Sequence, residues 1–484
     1  MSHSFSTEPQ RLPTGLLIGG EWIRTSSGGT MTHVNPATGK VQAEFPVAGD
    51  SEVDDAVSTA RRALPAWRGL APQARATLLQ QVAQGMRDRS EELGLLTTLE
   101  NGTLKAYASA FAQFGASWFD YYAGWTDKLH GANLPFAGAL DYTVLEPVGV
   151  VGIFLTWNGP TGSIGMKAAA ALAAGCTVII KTPELAPFTT NVFGEICAAV
   201  GIPGGVVNIL SGGTDTGYSL VRHPGVDKIS FTGGPETARS IQAACAESLT
   251  PLVLELGGKS ANIVFPDADL ERVTADAVAG ICGLQGQVCN APTRLLVHRS
   301  VHDEVLSRVV DLLEATKVGD PFAADSGMGP VISERAADRI MGVIDTAKGE
   351  EGLELISGGT RLAGDGYYIT PTVFTAASNS SSLAQREVFG PVLAALDFDD
   401  EADAVAMAND SAYGLAAYLY TSDLSRAHRM ASDLDAGSIG INGGTGLAGP
   451  VAPFGGFKQS GYGKEGGIEG ILEYTRTKNV NILL

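Results

Sequence analysis

Five short segments of this 484-residue sequence carry residue types that can do chemistry. Cys289 lies in Gly286-Gln287-Val288-Cys289-Asn290, a glycine-containing loop with polar neighbours. A cysteine there is a thiolate nucleophile if a neighbour lowers its pKa or supplies a base. Otherwise it is a small buried hydrophobe. Glu255 closes the apolar run Leu252-Val253-Leu254, directly before Leu256-Gly257-Gly258. Burial would raise its pKa and suit it to general base work; a strand-end salt bridge is the plainer reading. Trp157-Asn158-Gly159-Pro160 offers an amide that can donate to an oxyanion, and it is also strong turn chemistry.

Two further segments suit a nucleotide. In Lys181-Thr182-Pro183-Glu184 the carboxylate can accept from ribose hydroxyls. The same charge repels a 2′-phosphate, so NAD is expected over NADP; a solvated charge pair reads equally well. Phe231-Thr232-Gly233-Gly234 can bring backbone N–H groups to a pyrophosphate. It can also be a simple tight turn, and no GxGxxG is present.

These segments need elements to position them. From Pro147 onward short β-branched runs alternate with Ala-rich helical stretches. The runs Val150–Leu155, Thr177–Ile180, Val206–Leu210, Lys228–Phe231 and Leu252–Leu254 read as strands. Ser163–Ala174, Thr189–Val200, Thr214–Arg222 and Glu236–Ala246 read as helices between them. Units of this kind predict an open parallel sheet with ligand at the carboxyl ends of its strands. A second α/β region follows, with strands at Ser260–Phe265, Thr293–His298 and Pro391–Leu396 and helices at Val301–Thr316 and Ser333–Ala347. Residues Asp50–Leu99 read as helices. Leu134–Glu146 and the tail Leu472–Leu484 read as extended edge strands, either pairing with another subunit or lying on the surface.

With 33 basic and 52 acidic residues the net charge is −19, which repels nucleic-acid backbones. The five cysteines are scattered and form no zinc pattern, so no metal and a reducing compartment are expected. Residues Met1–Gly15 lack a signal pattern, and the apolar stretch Ile164–Ile180 is too short and Ala/Gly-rich for a membrane span. The expectation is a cytoplasmic protein with neither membrane nor nucleic-acid partners.

In this order, with Pro147-Val148-Gly149, Glu387-Val388-Phe389-Gly390-Pro391 and Pro453-Phe454-Gly455-Gly456, the segments resemble the aldehyde dehydrogenase superfamily from about Ile18 onward. The resemblance implies a Rossmann-like parallel sheet for NAD, a second α/β catalytic domain and a small β oligomerisation flap. The implied ranges are 1–128 and 148–256, then 257–460, with 129–147 and 472–484 as the flap, in a homodimer or homotetramer. It implies Cys289 as nucleophile, Glu255 as base, Asn158 as oxyanion donor, and Lys167 and Glu465 as a proton relay. Cofactor contacts carry over to Thr156, Trp157, Lys181, Glu184, Gly212, Gly233, Gly234, Leu256, Glu387 and Phe389. Two positions depart from the family: Gly234 where Ser is frequent, and Ala238 where Gly is frequent. The base favours a free acid product over a coenzyme A ester. A coenzyme-A-acylating or semialdehyde dehydrogenase, or a non-catalytic protein on the same fold, are the rival readings. Gly159, Ser163 and Met166 stand where relatives often carry bulk, the loop Gly443–Ala452 is Gly/Ala-rich, and Phe114, Phe119 and Phe454 are candidate aromatic walls. Together these point to a bulky aromatic, terpenoid or long aliphatic aldehyde.

Overall fold

The computed structural model describes residues 12–443 and 449–483. Its first sheet is built from β1 (Val150–Phe154), β2 (Thr177–Lys181), β3 (Val207–Leu210), β4 (Lys228–Thr232) and β5 (Leu252–Glu255), all parallel. Their spatial order is 3-2-1-4-5. The helices α1 (Pro160–Ala174), α2 (Phe188–Ala199), α3 (Thr214–Arg222) and α4 (Pro235–Ala246) connect them. In such a sheet the chain departs in opposite directions from β1, and the crevice at the carboxyl ends of β1 and β4 is the ligand position. The segments 156–159 and 233–234 therefore emerge there. Glu21–Ile23 and Leu16–Ile18 extend one edge, and Gly461–Tyr462 returns from far along the chain to pair with β5 at the other.

The strands read as continuous apolar runs because both faces are covered; every residue of β1, β2 and β3 is buried. Helix α1 is buried at every position of its fifteen except Ser163. It is sandwiched between the sheet and the helix Lys105–Ala123, which has no counterpart among the helices expected at 50–99. Small residues permit that packing: a Cβ on Gly165 would lie 2.5 Å from the Gly115 carbonyl oxygen. Among the described residues no helix is long and apolar enough to cross a membrane.

The second sheet contains β6 (Ala261–Val264), β7 (Arg294–His298), β8 (Leu353–Ser357), β9 (Thr372–Ala376), β10 (Val392–Phe398), β11 (Ala416–Tyr420) and β12 (Ser438–Ile441) in the order 8-9-10-7-6-11-12. All neighbours are parallel except the edge pair β8/β9. The expected fold class holds, though the sequence reading missed four of these seven strands. The third sheet joins Asn133–Leu134, Ala139–Pro147 and Thr475–Leu483. The two segments expected as edges thus pair with each other within the chain. Strand 475–483 begins only after the helix Gly467–Leu472, so the expected tail strand starts three residues late. Leu484, most of Met1–Gly15, and residues 444–448 of the Gly/Ala-rich loop lie outside the described residues.

Candidate active site

The cysteine loop leaves the helix Leu270–Cys282 through an unusual turn. Leu284, Gln285 and Gly286 have φ of +46°, +57° and +67°, three left-handed residues in a row. Two of these are not glycine, and such conformations persist only where surroundings enforce them. Gln287 supplies the enforcement: it is buried, and its Oε1 accepts from the Ile332 N–H at 3.1 Å. The turn delivers Cys289 half-buried, while Cys176, Cys197, Cys245 and Cys282 are buried. Burial first, then the carboxylates Glu255 and Glu387, push the Cys289 thiol up to about 12.

Asn158 meets this loop directly. Its Nδ2 donates to the Gln287 carbonyl at 2.8 Å, which holds the side-chain amide against the segment that carries the cysteine. Glu255 ends β5 and is only 4% exposed. Neither carboxylate oxygen has a hydrogen-bond partner among the described residues. Burial and then Glu465 hold its pKa well above the usual carboxylate range, against the opposing charges of Lys167 and Lys464. Gly455 leaves the room it needs, because a Cβ there would lie 2.8 Å from Glu255 Oε1. Lys167 and Glu465 form a buried ion pair at 2.5 Å, and Lys167 also donates to Ser230 Oγ at 3.0 Å.

The nucleotide segments line the carboxyl ends of the strands. Lys181 and Glu184 pair at 3.1 Å, and burial lowers the Lys181 pKa. Gly212 is buried after β3, where a Cβ would meet Thr216. The Gly233 N–H donates to the Glu255 carbonyl at 3.1 Å. Gly234 begins α4 with no side-chain cap, and nothing lies within 4 Å of where its Cβ would stand. Ala238, by contrast, is one of the buried residues of α4. Leu256 is buried beside β5. Glu387 accepts from the Gly258 N–H at 3.1 Å, and burial pushes its pKa up to about 7. Phe389, in the left-handed region at φ +49°, sets its ring edge-on to Trp157 at 5.4 Å. An uncapped helix N-terminus behind a bare glycine, with carboxylates on either side, fits a dinucleotide: amides for the pyrophosphate and acceptors for the riboses.

The expected substrate residues divide. Gly159 faces open space, with nothing within 4 Å of a would-be Cβ. Ser163 is half-exposed, and its hydroxyl bonds Thr156 Oγ1 at 3.1 Å. Phe114 is half-buried, edge-on to Trp118 at 5.9 Å. Met166 and Phe454 are buried in the core cluster that also contains Trp118 and Leu415, and Cys289 and Phe114 pack against that cluster. Phe119 does not reach a pocket wall: it is fully buried and pairs with Phe193 of α2 at 5.6 Å. The sequence reading gave no role to Gln287, Lys464 or Asn101, whose contributions show only through the groups they touch in the folded chain. Among the described residues no cluster of three or more His, Cys, Asp or Glu is placed to hold a metal ion.

The comparisons with known proteins agree with this geometry. The aldehyde dehydrogenase family model matches residues 22–480. A betaine aldehyde dehydrogenase of Sinorhizobium fredii is 38% identical over 471 residues, 96% of this chain and 96% of that protein. The betaine aldehyde dehydrogenase of Staphylococcus aureus, solved in complex with NAD+, has a TM-score of 0.96 at 35% identity, covering 100% of this chain and 97% of that one. An aldehyde dehydrogenase of Bacillus cereus, solved as a mutant, has a TM-score of 0.94 at 36% identity, covering 97% and 96%. The chain belongs to the aldehyde dehydrogenase family.

Proposed function

We propose that this enzyme uses NAD+ to oxidise an aldehyde to a free carboxylic acid through a thioester on Cys289. The observation that carries the proposal is the convergence of Cys289, the Asn158 amide and the unpartnered Glu255 carboxylate. The Cys289 thiol loses its proton to solvent, the thiolate sulfur bonds to the carbonyl carbon, and the carbonyl π pair moves onto oxygen, which becomes an alkoxide. Asn158 has a second amide hydrogen beyond the one given to Gln287, and with the Cys289 N–H it stabilises that alkoxide. NAD+ supplies an acceptor for the hydride that leaves the carbon. Trp157, Phe389 and Glu387 hold its nicotinamide end; Lys181 and Glu184 hold its adenosine ribose; Thr156, Gly212, Gly233, Gly234 and Leu256 line the stretch between. Glu255, ready to take a proton because its pKa is raised, deprotonates the water that hydrolyses the thioester. Lys167 and Glu465 pass that proton onward.

The substrate we infer is a bulky apolar aldehyde. The space at Gly159, the small Ser163 and the apolar wall of Phe114, Met166 and Phe454 favour it. A small cationic aldehyde is the second reading, suggested by the betaine aldehyde dehydrogenases among the relatives. We also infer a cytoplasmic homodimer or homotetramer. The third sheet exposes Leu134, Leu140, Val144, Ile482 and Leu483, apolar surface that a second copy would cover. A 50.1 kDa monomer on sizing would count against that.

The test is NADH formation across aliphatic, aromatic, terpenoid and betaine aldehydes, with wild type and Cys289→Ala. Cysteine-dependent turnover, highest with a bulky aldehyde, is the expected result. Highest kcat/KM with betaine aldehyde or acetaldehyde overturns the substrate reading. Consumption of free coenzyme A in place of water overturns the hydrolytic one.

A further inference from the structure

The last two residues of the helix Ser90–Asn101 and its cap, Gly102, each contact a different segment around the site. The fully buried Glu100 carboxylate accepts from the N–H groups of Phe188 and Thr189 and from the Thr189 hydroxyl. These open α2, the helix that follows the Lys181–Glu184 segment. Asn101 is 2% exposed, and its Nδ2 donates to the Trp157 carbonyl at 3.0 Å. Its Oδ1 accepts from the Thr103 N–H at 3.0 Å, which fixes the amide's orientation. Gly102 turns through the left-handed region at φ +75°, and its carbonyl accepts from Gln285 Nε2 at 3.3 Å, in the turn leading to Cys289. A Cβ on Gly102 would lie 2.6 Å from the Pro330 ring, so this end of the helix is wedged against the second α/β region.

The middle contact bears on the chemistry. Among the described residues no side chain other than Asn101 bonds to the carbonyls of Trp157 or Asn158. On the other flank the turn enters α1, where the Gly159 carbonyl accepts from the Ser163 N–H at 2.9 Å, and no side chain stands within 4 Å of where a Gly159 Cβ would be. The Asn158 amide is thus aimed by two contacts: Asn101 holds the turn from behind, and the Gln287 carbonyl receives Nδ2 at 2.8 Å in front. We propose that Asn101 is a positioning residue for the oxyanion step, setting through the Trp157 carbonyl where the Asn158 amide stands relative to Cys289. The inference rests on the oxyanion role proposed above for Asn158. Misplacing a reacting group by about 1 Å costs on the order of a hundred-fold in rate, so a turn released from its tether should be slow without being unfolded.

A double-mutant cycle on the rate of the first NADH burst tests this, with Asn101→Ala, Asn158→Ala and the double variant, each checked for wild-type melting behaviour. Asn101→Ala should slow the burst about ten- to a hundred-fold with little change in the KM for NAD+. The double variant should be no slower than Asn158→Ala alone, because the tether has no amide left to aim. A slow Asn158→Ala with losses that multiply in the double variant overturns the inference and leaves the oxyanion reading standing. Asn158→Ala at the wild-type rate overturns both. Where alanine at 101 does not fold, Asn101→Asp keeps the acceptor for Thr103, removes the donor when ionised, and should show the same slow burst; a wild-type burst at pH 8 overturns the inference.

Discussion

Lys167 and Glu465, 298 residues apart in the chain, meet at 2.5 Å with both side chains buried. One comes from α1, behind the nucleotide crevice, and the other follows the Phe454-Gly455 segment that makes room for Glu255. Removing one member of a buried pair leaves the other charge without compensation, a cost of about 3–5 kcal/mol. Lys167→Met should therefore lower stability by that order. It should also move the pH–rate profile to higher pH, because the Lys167 charge opposes the raised pKa of Glu255. Denaturant titration and a kcat profile check the two effects separately. An unchanged profile would separate the pair from the base.

The raised pKa of Glu255 has a definite sign in turnover. Burial and the Glu465 charge keep the carboxyl protonated above the usual carboxylate range, and only the ionised form can take a proton from water. Thioester hydrolysis should rise with pH through that raised pKa and then level off. Glu255→Gln should keep the first burst of NADH, lose steady-state turnover by about a hundred-fold or more, and accumulate acyl-Cys289 visible in the intact mass. Linear NADH formation at the wild-type rate would remove Glu255 from the mechanism.

Much of this site was legible because its parts close secondary-structure elements. Glu255 ends an apolar strand, Asn158 follows one, and Glu184 follows another, so strand periodicity alone placed them at one edge of the sheet. The second region was less readable. Strands β11 and β12 contain Ala416-Ala417 and Gly440, small residues with weak strand preference that packing holds in the sheet. Helix Lys105–Ala123 buries Ala108, Ala112, Ala116, Phe119 and Tyr122, but its outer side also carries Ala and aromatic residues such as Ala106, Tyr107 and Ala110, so the sequence shows little contrast between faces. Phe119 was misplaced for that reason: the sequence shows an aromatic but not which side of the helix it takes. Asn101 left no signal, since its role depends on a carbonyl 56 residues away.

Glu184 should set the cofactor preference. Its carboxylate is partly exposed and paired to Lys181 at 3.1 Å, in position to accept from ribose hydroxyls and to repel a 2′-phosphate. Glu184→Gln should raise the KM for NAD+ and lower that for NADP+, narrowing the ratio of the two kcat/KM values by about ten-fold, the equivalent of roughly 1.4 kcal/mol. Lys181 then faces the ribose without a competing carboxylate. A ratio unchanged from wild type would place the ribose elsewhere.

Gly258 and Gly234 make opposite predictions about added side chains. A Cβ on Gly258 would fall 2.6 Å from the Cys289 carbonyl oxygen and 3.2 Å from Leu415 Cβ. Neither neighbour is the end of a flexible side chain, so the cysteine loop itself has to move. Gly258→Ala should cost about 1–3 kcal/mol in stability by overpacking. It should also depress the NADH burst, because the loop it displaces carries both Cys289 and the carbonyl that receives Asn158 Nδ2. Nothing lies within 4 Å of a Cβ on Gly234, and its φ of −75° suits any residue. Gly234→Ser should leave the melting temperature unchanged or slightly higher, through capping of α4, and the added hydroxyl should lower the KM for NAD+. If the serine variant instead binds NAD+ more weakly, the pyrophosphate does not sit over this turn.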